Sequence, residues 1–251
     1  MSPHETPQTE KWTEIEHLPE WDEEFYYVYT AKKYGKWLML KTLRPEYRDK
    51  PEYQSMIDKE FDVRYNLAHP HIVMINDYEE VPGLGRCIIT DDIYGDSLRK
   101  LIDSSRVSDA TIDKLTHDLV DALEYIQTNH LVHHPIRPET IIFTENIGNL
   151  KLINVGFDQK NSLSPDATAD DIFNFGLILT EALKANPKYP DASRLRKIAA
   201  RCLSPNPAGR FPDIRALKMA IDGRAKIATI VLTTVFIVLM VGVLAWLVGK
   251  G

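Results

Sequence analysis

The side chains of this 251-residue chain that can do chemistry form a short set. His130, His133 and His134 crowd one segment, and imidazole is the commonest transition-metal ligand. Adjacent histidines in one loop seldom converge on a single ion, and Cys87 and Cys202 stand far apart, outside any metal-ligand spacing. No metal site is expected. His69 and His71 belong to a turn, "HPHIV", where imidazole rings cap backbone groups. For phosphate or proton chemistry the chain holds many lysines and carboxylates, among them Lys41 inside the apolar run "KWLMLKTL", Glu60, Asp158 and Asp166. A lysine offers a point charge to phosphate or a partner to a carboxylate; a carboxylate can take a proton or hold a hard cation.

The elements that must position these groups change character along the chain. From Phe25 to about Ile93 the apolar residues come in strand-like runs, "FYYVYTA", "KWLMLKTL", "HIVMINDYEE" and "RCIITDD", separated by the turn signals "KKYG" and "VPGLG". One helical stretch, "PEYQSMIDKEFDVRYNLA", interrupts them. Beyond Ser97 the spacing turns helical: Ile112, Leu115, Leu119, Leu123 and Ile126 recur every three or four residues, with Ser108 as N-cap. "TIIF" and "LKLIN" read as a hairpin around "TENIGN", and helices resume at Asp170.

Several segments follow one another in a telling order. Lys41 stands in "LMLKTL", Glu60 follows nineteen residues later, and "HPHIV" begins nine beyond that. Then come "IITDDIYGDSL", "LVHHPIRPETII", "LINVG", "DIFNFG" and "CLSPNPAGRFP". From about Phe25 to Ile221 this succession resembles the protein kinase family. The resemblance implies an α+β, bilobal kinase-like fold, with a strand-rich N-lobe carrying helix αC and a helical C-lobe. It makes Lys41 the phosphate-binding lysine, Glu60 its αC partner, Thr90 the gatekeeper and Asp91 to Tyr94 the hinge.

Phosphoryl transfer in that family needs a carboxylate near the substrate hydroxyl, an asparagine and an aspartate for two magnesium ions, and the lysine. Here His133 matches the motif histidine, His134 takes the arginine position, and Pro135 takes that of the catalytic aspartate. Thr140 replaces the metal-binding asparagine, and Asn154, a neutral amide, replaces the metal-binding aspartate. "EFYYVYTAKKYGKW" offers Gly35 alone, in a turn, so the glycine-rich phosphate lid is missing; "GLG" at 83 to 85 reads as another turn. Met39 stands where its side chain can fill the nucleotide pocket. Only 14 residues separate Gly156 from Asp171, short for an activation segment, and Asp166 is expected to pair with Arg210.

On these grounds the expectation is a pseudokinase and no enzyme. Neither ATP nor magnesium serves as cofactor, and Lys41 with Glu60 persists as a structural ion pair. Its expected role is a scaffold or allosteric regulator that binds another protein. The alternatives are a nucleotide-responsive switch, or an atypical kinase with residual ATP-dependent activity.

Composition adds boundaries. A net charge of -6, with no basic run interleaved with aromatics, argues against nucleic acid as a partner. Residues 1–24 read as an acidic, disordered arm without a secretory signal, 25–95 as N-lobe and 96–222 as C-lobe. Ile227 to Val248 is a run of 22 residues without a charge, long enough for a transmembrane helix. Arg215, Lys218, Arg224 and Lys226 precede it and only Lys250 follows. A single-pass protein is therefore expected, with its folded part in the cytoplasm and its C-terminus across the membrane.

Overall fold

A computed structural model of the chain describes residues 11–129, 135–144, 148–153 and 165–248, without the side chains of Val63 and of residues 165–168, 224–232 and 242–248. The N-terminal lobe is a five-stranded antiparallel sheet in the order β1-β2-β3-β5-β4. Its strands are β1 (Trp12–His17), β2 (Tyr26–Lys33), β3 (Lys36–Leu43), β4 (Ile75–Val81) and β5 (Gly85–Asp91). Helix α1 (Pro51–Arg64) lies against it, started by Pro51, which lacks the N–H that a first turn leaves unpaired.

Period-two alternation gives the sheet two faces. Leu38 and Leu40 join Trp12, Ala31, Cys87 and Ile89 in one buried cluster. Leu43 joins Tyr26, Ile57, Ile75 and Ile88 in the cluster under α1. Lys41, two positions before Leu43, therefore faces the same side.

The expected disordered arm is corrected by β1. Trp12 is buried, and Trp12, Thr13, Glu16 and His17 pair with Lys33, Lys32, Thr30 and Tyr29 of β2. The register slips between Thr13 and Glu16, where Glu14 takes a φ of 52°. That bulge breaks the alternation by which a strand is recognised.

The C-terminal lobe opens with β6 (Gly95–Ser97) and α2 (Leu98–Asp103). Next, α3 (Asp109–Lys114), a π-helical turn (Leu115–Leu119) and α4 (Val120–Thr128) run on from one another. The Ser108 hydroxyl accepts the N–H of Thr111 at 3.1 Å and caps α3. Ile112, Leu115, Leu119, Leu123 and Ile126 are all fully buried in the lobe's core. β7 (Ile141–Thr144) and β8 (Leu150–Leu152) form the hairpin, and β6 pairs with β7. That pairing needs a glycine, because a Cβ on Gly95 would come within 2.1 Å of Phe143 O.

Helices α5 (Pro165–Ala185) and α6 (Ala192–Cys202) pack together, and α7 (Ile214–Val248) closes the lobe. Helix α7 is 35 residues long, about 52 Å at the usual rise. Its first turns bury Ile214, Leu217 and Ile221, while Arg194 donates to the carbonyls of Ala220 and Ile221. Residues 227–248 continue α7 without a break and do not form a separate helix, and among the described residues no helix is long and apolar enough to cross a membrane.

Candidate active site

The interlobe cleft brings Lys41 and Glu60 together. Lys41 Nζ lies 3.1 Å from Glu60 Oε1 and 2.8 Å from Glu23 Oε2, and it sits 4.1 Å from the centroid of the Tyr26 ring. One turn down α1, Arg64 Nη1 donates to the same Glu60 Oε1 at 2.6 Å. Glu60 is 1% exposed and Arg64 9%. Burial pushes the Glu60 carboxyl up, but Lys41 and Arg64 outweigh it and hold the group below its ordinary range. Burial first, then the Glu60 and Glu23 charges, raises the Tyr26 phenol.

Glu23 comes from the segment joining β1 to β2, residues 18–25, which lies over the cleft. A turn of 3-10 helix (Pro19–Trp21) starts it. The Asp22 carboxylate accepts from Val28 N and lies 3.0 Å from His17 Nε2, and Arg44 donates to Glu23 O at 2.8 Å. Instead of glycine, this connection carries Glu20, Trp21, Asp22, Glu23 and Glu24. The phosphate lid expected within residues 24–37 thus has its positional counterpart here, and it is acidic.

Two cavities meet at this segment. The inner one, about 50 Å³, is lined by Trp21, Glu23, Met39, Lys41, Thr90 and Ile153. The outer one, about 610 Å³, is lined by Glu20 to Glu24 above and by Ser97, Pro135, Arg137, Glu139 and Thr140 below.

On the lower wall Pro135 is exposed and its side chain has no proton acceptor. Thr140 is 6% exposed; its hydroxyl donates to Arg137 O at 3.0 Å and accepts from Arg137 N. Glu139 is held by Arg99 at 3.0 Å. Burial would raise the Glu139 carboxyl, but Arg99 and a backbone N–H keep it low. His133, His134, Asn154 and Asp158 lie outside the described residues, as does the side chain of Asp166. Arg210 reaches α5 by donating to Ala169 O and stacking on Phe173 at 4.7 Å. Among the described residues no group of three or more His, Cys, Asp or Glu could hold a metal ion.

The protein kinase domain family model matches residues 24–169, more than half of the 251. The chain belongs to the protein kinase domain family. It is 27% identical over 192 residues to the serine/threonine-protein kinase PknD of Mycobacterium tuberculosis, an alignment covering 67% of this chain and 29% of PknD. Against the serine/threonine-protein kinase PknA of Corynebacterium glutamicum it is 23% identical over 233 residues, covering 73% of this chain and 50% of the relative. It thus spans at most about half the length of these curated relatives. Among solved structures, the kinase domain of Mycobacterium tuberculosis PknI matches with a TM-score of 0.63 at 20% identity, over 85% of this chain and 96% of that one. That likeness shows the bilobal fold.

Two expectations are corrected by these findings. The reading of a domain that is no enzyme gives way, because the matched family and the named relatives are protein kinases. The reading of no cofactor gives way with it, since a protein kinase takes its phosphoryl group from a magnesium-bound nucleotide.

The donor set agrees with that chemistry for the phosphates but not for magnesium, since Thr140 and Asn154 stand where the resemblance puts the metal-binding asparagine and aspartate. Lys41, locked to α1 by Glu60, and Arg137 on the outer cavity wall are cations suited to a polyphosphate. The space around Lys41 does not agree. Ligand pockets run to roughly 300–1,000 Å³, and the inner cavity is about 50 Å³.

Proposed function

We propose that this domain is an atypical protein kinase: it binds ATP in the interlobe cleft and retains slow ATP-dependent phosphoryl transfer to protein hydroxyl groups. The observation that carries the reading is the Lys41–Glu60 ion pair at 3.1 Å, which ties the cation of β3 to helix α1. Serine and threonine hydroxyls are the proposed acceptors, by analogy with relatives named as serine/threonine kinases.

ATP supplies the phosphoryl group when bound. Lys41 contributes a positive charge that Glu60 orients from helix α1. Arg137 offers a second charge from the opposite wall, in the bidentate geometry a guanidinium provides. Pro135 cannot take the proton of the acceptor hydroxyl. General base catalysis is worth about 10²–10⁴-fold, and the transition state of this transfer is largely dissociative. Loss of the base therefore slows transfer and does not forbid it. The proton passes to solvent or to the transferred group.

A second part of the proposal concerns location. The domain is held at a membrane by residues 227–248, with the lobes on the cytoplasmic side. Supporting this, Val235 to Val241 of α7 are each at least half exposed, all round the helix, and the run around them carries no charge.

Thermal unfolding of the detergent-solubilised full chain with and without millimolar Mg-ATP tests the nucleotide reading. A rise in midpoint that Lys41→Ala removes supports it. No rise at any concentration contradicts it.

A further inference from the structure

We infer that the β1–β2 connection, residues 18–25, is a displaceable strap that occupies the nucleotide site with the chain's own side chains and must leave before ATP enters. This deepens the kinase reading above and rests on it.

Three observations converge. First, the Lys41 ammonium, which a phosphate would take, is held at 2.8 Å by Glu23 from the strap. Glu23, Lys41, Glu60 and Arg64 form a cluster of two carboxylates and two cations, neutral without any ligand. Second, Trp21 and Met39 line the inner cavity and leave about 50 Å³ beside Lys41, so a ligand held in the outer cavity of about 610 Å³ cannot extend to the lysine with the strap in place. Third, the strap puts further carboxylates, Glu20, Asp22 and Glu24, over the outer cavity. A polyphosphate approaching Lys41 passes this negative wall, whose repulsion is strongest at low ionic strength.

The strap is held to the sheet at a few points: Leu18 N on Val28 O at 2.8 Å, Asp22 on Val28 N at 3.0 Å, Glu23 N on Tyr26 O at 3.1 Å, Arg44 on Glu23 O, and the Phe25 ring against Tyr47 and Tyr53. Pro19, Glu20 and Glu24 are exposed and Trp21 is only half-buried. From Pro19 to Glu24 the strap buries little apolar surface, so what holds it in the cleft is chiefly the Glu23–Lys41 pair, the contact a phosphate would replace. The competing states then share one cation: Lys41 binds Glu23 when the strap is in, and phosphate when it is out. Apparent affinity for nucleotide falls by the fraction of molecules with the strap out.

The test is the dissociation constant for Mg-ATP of the full chain in detergent, by calorimetry, for the wild type and for Trp21→Ala, Glu23→Gln, Trp21→Phe and Lys41→Ala. Circular dichroism verifies that each is folded. Trp21→Ala and Glu23→Gln are expected to bind at least about tenfold more tightly than the wild type. Trp21→Phe, which keeps an aromatic plug, stays within about threefold of it, and adding Lys41→Ala abolishes the gain. Equal, measurable affinity in the wild type and the strap variants overturns the strap and leaves the nucleotide reading standing. No binding by any folded variant overturns both.

Discussion

Glu23 and Glu60 grip the same ammonium. Their carboxylate oxygens lie 2.8 and 3.1 Å from Lys41 Nζ, one reaching from the strap over the cleft and the other from helix α1 behind it. Only the second contact is compatible with a phosphate in the first one's place, so the two carboxylates have opposite roles. Glu60 holds the lysine ready, and Glu23 holds it occupied.

Glu60→Gln tests the holding role. Removing one partner of a buried ion pair typically costs about 3–5 kcal/mol, and this change leaves the Arg64 charge facing a neutral amide oxygen in place of a carboxylate. The urea midpoint should fall accordingly; an unchanged midpoint would show that the cluster adds nothing to stability.

The same pair gives a pH signature. The Glu60 carboxyl is depressed below its ordinary value of 4.5, so its contribution is complete above that value and is lost as pH falls through the lower folded value. The stability gap between wild type and Glu60→Gln should be flat above about pH 5 and shrink in acid. A gap that widens below pH 4.5 would reverse the sign.

How much of this was legible in the sequence depends on spacing. Lys41 and Glu60 sit in an apolar strand and a helix of ordinary periodicity, so their elements, and the hairpin carrying Thr140, were readable. Trp21 and Glu23 were not. The bulge at Glu14 hides β1, with a φ of 52°, and without β1 the segment after it looks like a solvated acidic tail. No motif marks a glutamate that competes with phosphate; only the fold puts residue 23 beside residue 41. Pro135 in the place of the catalytic base is legible as residue chemistry, but a missing base sets a rate, and the step from there to no enzyme does not follow.

Helix packing in the large lobe depends on Gly176. A Cβ there would stand 2.7 Å from Cys202 Cβ and 3.2 Å from Ala199 O, on the α5–α6 contact. Gly176→Ala gains about 0.5–1 kcal/mol from helix entropy but meets an overpacking cost of about 1–3 kcal/mol. The net effect is a loss of about 1 kcal/mol in chemical denaturation. A stabilised variant would mean that α6 moves aside freely.

Burial pushes the thiols of Cys87 and Cys202 up to about 12, and both side chains are 0% exposed. Neither should react with a thiol reagent at pH 8 until the lobe that holds it unfolds. Rapid labelling of the folded chain would contradict the packing of either core.

Ending the chain at Gly223 keeps Ile214, Leu217 and Ile221 in the large lobe and removes the apolar part of α7. The full chain should enter the detergent-rich phase on phase separation, and the shortened chain should stay in the aqueous phase. Equal partitioning of the two would remove the membrane role of residues 227–248.

The most direct measurement is transfer of radiolabel from γ-labelled ATP, with magnesium, by the full chain in detergent to itself and to a generic protein acceptor. The expected result is slow, stoichiometric or better label on serine or threonine, raised by Glu23→Gln and absent in Lys41→Ala. Label that is missing from wild type and Glu23→Gln alike, or that persists undiminished in Lys41→Ala, would contradict a kinase working through this cleft.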